Sequence, residues 1–298
     1  MTGPSAESLL DAVRDVEVDL ERNFAVVAGQ ELHAASRPEL RAKLAGALYD
    51  HFHVGRTTST PEPPGFRTAL TAAVPHESTS ARGRVLSRAA GEAIVEIEGV
   101  RVRVPDSLIT PGIEEETAAI ELGCVRPNLA PDFLLVDGSA GHGLTEADHT
   151  LRVYAHLLEP ETATAGWHEI LVFLEENRIP FRAKISLRLP RRDALVLYLG
   201  REAWPFTADI AGVLARRSGL GNAVSAYARQ LADGVAAAWD PVDPRPEFRG
   251  LSFGEHRSHV LADALLSPGT RAEELTESLT SGHVDTSDIY RNITSPRL

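Results

Sequence analysis

Only two of the 30 basic residues are lysines, Lys43 and Lys184; the other 28 are arginines. Arg stays charged near neutral pH and cannot take up a proton there, whereas a Lys whose charged form is disfavoured can act as a base. Lys43 lies in RPELRAKLAGALYDHF, an amphipathic stretch that presents it to solvent. Lys184 instead sits between Phe181, Ile185 and Leu187 in a segment that reads as a buried strand. Period-two alternation collects further chemistry beside it. In LRVYAHLL, Arg152, Tyr154 and His156 share a face; in FRAKISLRL, Arg182, Lys184, Ser186 and Arg188 do the same. Arg191 and Arg192 precede DALVLYLG, where Val196, Tyr198 and Gly200 alternate, and SFGEHR places Arg257 in the first turn of a helix. If these strands are neighbours, one surface gathers a Lys, a His, a Tyr and several guanidiniums, whose paired N–H donors suit a phosphate dianion. The same residues also fit a plainer account, with arginines snorkelling to solvent or pairing with carboxylates and the His and Tyr satisfied in a core.

Other signatures are missing or weak. No GxxxxGK[ST] phosphate loop, GxSxG elbow or HExxH pair is present, and GSAGHG (138–143) reads as a turn. Cys124 is the single cysteine, which excludes an internal disulfide and a Cys-rich zinc site and reads as a small core residue. His51 and His53 have a spacing that metal sites use, but no third ligand stands at a diagnostic distance, so they read as helix-end or packing groups. His256 and His259 read likewise, and Glu114, Glu115 and Glu116 as a solvated acidic turn. No metal and no organic cofactor is expected.

The 298 residues allow one or two domains, and a hydrophobic share of 43% supports a sizeable core. A net charge of −12 argues against nucleic acid and anionic membranes as partners. No apolar run approaches a membrane span and MTGPSAESLLDAVRD lacks a signal-peptide pattern, so a cytoplasmic location is expected.

The elements that must position these groups follow from periodicity. Residues 5–52 read as helices and 55–84 as a Thr/Ser/Pro-rich linker; AIVEIEGVRVRVP reads as a hairpin turning at Glu98-Gly99, and 106–128 is ambiguous. Then come strands at DFLLVDG and LRVYAHLL, a helix at ETATAGWHEILVFLEENR, and strands at PFRAKISLRL and DALVLYLG around a turn at Pro190–Asp193. DIAGVLARRSG, AVSAYARQLADGVAAAWD and EHRSHVLADALL read as helices, and a polar tail follows. The expected class is α+β, with a helical region (1–60), a linker and β insert (61–130), an α+β catalytic domain (131–270) and a tail (271–298).

The runs NRIPFRAK (177–184), RRDALVLY (191–198), the segment ending Trp239-Asp240-Pro241 and SFGEHR (252–257), with LYDHFHVG (48–55) in support, resemble the HopA-type type III effector family. That family includes lyase components of class V lanthipeptide and thioamitide biosynthesis and is itself similar to the phosphothreonine lyases. The resemblance implies β-elimination of phosphate from phosphoserine or phosphothreonine in a ribosomal precursor peptide, giving dehydroalanine or dehydrobutyrine. It implies Lys184 as the base, His156 as the acid, and Arg191, Arg192, Arg257, Tyr198, Arg152 and Tyr154 around the phosphate. Tyr154 stands where those lyases carry a Lys, which leaves Arg152 to substitute on the leaving-group side. It also implies recognition of a leader segment, with a separate kinase and a cyclase as partners. A non-catalytic precursor-binding scaffold, a cyclase and an effector acting on a host phosphoprotein are the alternatives.

Overall fold

Ser5 opens the first helix, α1 (Ala6–Ala12), with a reciprocal cap in which Ser5 and Ser8 each accept from the other's backbone N–H. Beyond it the computed structural model, which describes residues 3–55, 61–111, 117–126, 130, 132–145, 149–216 and 219–298, departs from the all-helical expectation for 5–52. Three short antiparallel strands follow, β1 (Glu17–Asp19), β2 (Phe24–Val27) and β3 (Gln30–His33). The β2–β3 link is a two-residue turn at Ala28-Gly29 with φ of 49° and 80°, the left-handed geometry that suits a tight hairpin. Leu9, Leu10, Val13, Val16 and Leu20 keep a helical spacing in the sequence, but the helix ends at Ala12, and Val13 and Val16 reach the same core as Val27 from outside it. Helix α2 (Arg37–Leu48) is capped by Ser36 with Pro38 in its first turn, as the sequence suggests. It widens into a π-helical turn, Tyr49–Val54, that Gly55 ends at φ 76°.

The expected linker also contains structure. Helix α3 (Phe66–Ala72) buries Phe66 and Leu70, and β4 (Ser78–Ala89) begins inside the Ser/Thr-rich stretch because Thr79 and Ala81 alternate inward. Strands β5 (Glu92–Ile97) and β6 (Val100–Pro105) form the expected hairpin over Glu98-Gly99. The ambiguous stretch resolves into β7 (Ile109–Pro111) and β8 (Thr117–Gly123), completing a five-stranded sheet of order β6-β5-β4-β8-β7. The Glu114–Glu116 turn lies outside the described residues.

The second large sheet has the order β13-β14-β10-β12-β11-β9 and is antiparallel throughout. Its strands are β9 (Phe133–Asp137), β10 (Leu151–Leu157), β11 (Arg182–Ser186) and β12 (Arg191–Leu199), with β13 (Arg229–Ala232) and β14 (Val235–Trp239). The last two correct the sequence reading of 223–240 as a helix. Asp233-Gly234 is a hairpin turn with Gly234 at φ 68°, and the Ala-rich run is a fully buried strand whose small side chains let long neighbours lie across it. The expected turn at Pro190–Asp193 also shifts, since Arg191, Arg192 and Asp193 already belong to β12.

Helices α4 (Pro160–Glu176) and α5 (Thr207–Ala215) contribute Trp167, Ile170, Leu174 and Ile210 to a core shared with Val153, Ala183, Leu195 and Leu197. Helix α6 (Phe253–Leu265), capped by Ser252 and Glu255, and the π-helical turn cover the other face. The stretch expected as a polar tail forms α7 (Arg271–Ser281), then buries Ile289, Tyr290 and Asn292 to 2% exposure or less. The protein is α+β. Among the described residues no helix is long and apolar enough to cross a membrane.

Candidate active site

Register decides which side chains meet. Across the large sheet, Arg182 pairs with Tyr198, which pairs with Arg152, which pairs with Ala238. One step along, Lys184 pairs with Val196, then Tyr154, then Ala236. Residues two apart in a strand share a face, so both rows lie on the face beneath the π-helical turn and α6. Lys184 Nζ rests 4.3 Å from the centroid of the Phe133 ring and 5.7 Å from that of Tyr198. Among the described residues it has no hydrogen bond and no ion pair.

The neighbouring cations are matched. Arg191 forks onto Asp193, Nε to Oδ1 at 2.5 Å and Nη2 to Oδ2 at 2.8 Å, while its guanidinium lies 5.0 Å from the Phe133 centroid. Arg152 pairs with Asp240 and lies 4.7 Å from the Tyr198 centroid. The cluster therefore holds Arg152, Lys184 and Arg191 against Asp193 and Asp240, a formal surplus of one positive charge beside two aromatic faces. Such a field favours an incoming anion, strongly so where water is scarce.

His53 is the residue that sequence reasoning set aside. It is 2% exposed, with Nδ1 2.8 Å from Ser225 Oγ, Nε2 3.6 Å from Asp193 Oδ2, and its ring edge-on to Tyr154 at 5.5 Å. A Cβ on Gly254 would collide with this ring, so α6 approaches it by having no side chain there. Burial lowers the imidazole to about 4, outweighing the opposing pull of Asp193, so it is neutral at pH 7. Tyr49 adds its hydroxyl to Asp193 at 3.4 Å. The available signal was the LYDHFHVG run itself, which places Tyr49 and His53 on one turn of helix.

Tyr154 is 3% exposed, and its hydroxyl is a buried polar atom with no hydrogen-bond partner among the described residues. Burial pushes its ionisation far up, with Arg152 opposing, so the phenol keeps its proton. His156, half-buried two positions on, is held differently. Its Nδ1 donates to the Ala223 carbonyl at 2.9 Å, and its ring fills the space a Gly221 side chain would need. Burial and the Arg192 charge lower its basicity against the opposing Ala223 contact. Among the described residues no hydrogen bond, ion pair or electrostatic contact joins it to Lys184.

The remaining expected residues are dispersed. Arg192 donates to the carbonyls of His51 and Phe52, tying β12 to the π-helical turn, and has no carboxylate partner among the described residues. Arg257 is 1% exposed and donates from Nε to Ile289, from Nη1 to His256 Nδ1 and from Nη2 to Arg291 and Asn292. This corrects the expected phosphate fork: Arg257 lends its charge to Tyr154 and Asp240 from within the wall. Among the described residues no three His, Cys, Asp or Glu side chains gather as a metal-binding group.

Comparison with known proteins adds the family. The model of the HopA1 effector protein family matches residues 124–291, a span holding every residue of this cluster except Tyr49 and His53. The structure of the effector protein from Pseudomonas syringae pv. tomato strain DC3000 is similar, with 16% identity, 88% of this chain and 91% of that chain covered, and a TM-score of 0.51. That of the effector protein from Pseudomonas syringae pv. syringae strain 61 shares 14% identity over 83% of this chain and 89% of its own, at a TM-score of 0.48. At such identity the first likeness establishes the fold alone. No curated protein matches the chain.

Proposed function

The chain belongs to the HopA1 effector protein family, and from that premise we propose that it is a lyase removing phosphate from phosphoserine or phosphothreonine in a peptide. The observation that carries this reading is Lys184: an amine with no hydrogen bond or ion pair among the described residues, set beside two rings and near the Asp193 charge on a face rich in guanidiniums. β-Elimination needs a base at the weakly acidic Cα proton, cations on the phosphoryl group and a proton for the departing oxygen. Lys184 is the base. Arg152 and Arg191, each already fixed by its aspartate and by an aromatic face, supply preorganised positive charge for the dianion. Tyr198, between Lys184 and Arg152, borders the same space. Arg192 supplies a further half-buried positive charge next to Arg191, and His156 is the proton donor that family resemblance suggests.

A ribosomal precursor peptide of the lanthipeptide type, phosphorylated by a separate kinase and passed on to a cyclase, is the proposed physiological substrate. Incubation with a phosphoserine or phosphothreonine peptide tests the chemistry. Mass spectrometry should record loss of about 98 Da, the mass of phosphoric acid released by such acid–base chemistry. Release of inorganic phosphate with gain of a hydroxyl, or no change in mass, would sink the lyase reading.

A further inference from the structure

Resting on the lyase reading, we propose that Tyr154, rather than His156, donates the proton to the departing phosphate oxygen. Lys184 and Tyr154 both pair with Val196, one from each side. They are therefore two strand spacings apart, about 9–10 Å between backbones, and rise from the same face. That separation suits two long side chains acting on opposite ends of one Cα–Cβ–O unit.

The Tyr154 ring is held by His53 at 5.5 Å and Phe253 at 6.3 Å, so the side chain is fixed, yet its oxygen makes no hydrogen bond among the described residues. A buried polar group without a partner costs roughly 1–3 kcal/mol, which a ligand oxygen accepting from it would recover. The phenol is proton-loaded at neutral pH. His156 differs: one ring nitrogen is engaged by Ala223 and its charged form is disfavoured.

The step balances. Lys184 takes the Cα proton and the C–H electron pair becomes the Cα=Cβ bond. The Cβ–O bond breaks with its pair on the bridging oxygen, which receives the Tyr154 proton. The ammonium of Lys184 returns a proton to the tyrosinate through water, leaving alkene and hydrogen phosphate as products.

Two substrates separate proton donation from packing: a phosphoserine peptide, and the same peptide with S-phosphocysteine, whose bridging sulfur departs with less need of a proton. Tyr154→Phe should slow phosphoserine elimination about 10²–10⁴-fold and S-phosphocysteine elimination far less, whereas Lys184→Arg should lose both. His156→Gln should treat both substrates alike. A Tyr154→Phe protein at the wild-type rate, or slowed equally on both, overturns the assignment. So does discrimination by His156→Gln, which can be read even if the Tyr154 variant fails to fold. A wild-type protein that eliminates from neither substrate removes the lyase reading instead, and this role with it.

Discussion

Arg191 and Asp193 stand two residues apart at the start of one strand and form a two-point ion pair almost out of contact with water, at 5% exposure each. His53, Tyr49 and the Phe133 ring close around it, and the Arg191 charge is what holds Asp193 ionised against the cost of its burial. Asp193 thus fixes Arg191 by two contacts and also feels the Lys184 side chain, which makes no hydrogen bond or ion pair of its own among the described residues.

Breaking that pair should be costly. Asp193→Ala strands a buried guanidinium, with an expected loss of about 3–5 kcal/mol. Urea denaturation should show it as a lower midpoint with an unchanged slope. A loss below about 1 kcal/mol would mean that water reaches Arg191.

Lys184 should be irreplaceable by another cation. Lys184→Arg puts a permanently charged group beside Phe133 and Tyr198 that cannot take up the Cα proton, so elimination should fall by at least about 10²-fold. Fluorescence-polarisation titration of a labelled phosphopeptide should show binding largely retained. Full turnover by this variant would remove Lys184 from the chemistry.

Acid should destabilise the fold through its buried histidines. Burial holds His53 at about 4 and His256 at about 3, both below the usual 6.5. Between those values the unfolded chain binds protons that the folded chain refuses. Their contribution is complete above pH 6.5 and is lost as pH falls toward 4, at up to about 1.4 kcal/mol per pH unit for each group. Denaturation curves at pH 7 and pH 5 should differ in that direction. His53→Gln should reduce the difference.

Two glycines should respond oppositely to a methyl group. Gly254→Ala drives a Cβ into the His53 ring and should destabilise by about 1–3 kcal/mol. Gly46→Ala, on the exposed side of α2 with nothing near its Cβ, should stabilise by roughly 0.5–1 kcal/mol. Thermal melts of the two variants in one buffer decide it. A similar shift in both would show that α6 adapts around His53.

Reading of the sequence succeeded where a segment's own pattern carried the answer. Alternation in LRVYAHL and FRAKISL, the Glu98-Gly99 turn and the last helix at EHRSHVLADALL depend on residues within a few positions of each other. It failed at VAAAW, where alanines suit a helix when alone and a crowded central strand when flanked by β10 and β13. It failed again at 271–298, whose polar composition conceals Ile289, Tyr290 and Asn292 in the core.

For the site, sequence alone determined that Lys184 is one of two lysines, and that Arg152 and Tyr154 share a face, because a strand repeats every two residues. Only the tertiary structure decided that Val196 stands between Lys184 and Tyr154, that Arg257 is already engaged by backbone carbonyls, and that His53 reaches Asp193. The physical reason is register. Hydrogen bonds between strands distant in the chain, and a helical turn laid over them, choose partners that no local periodicity encodes.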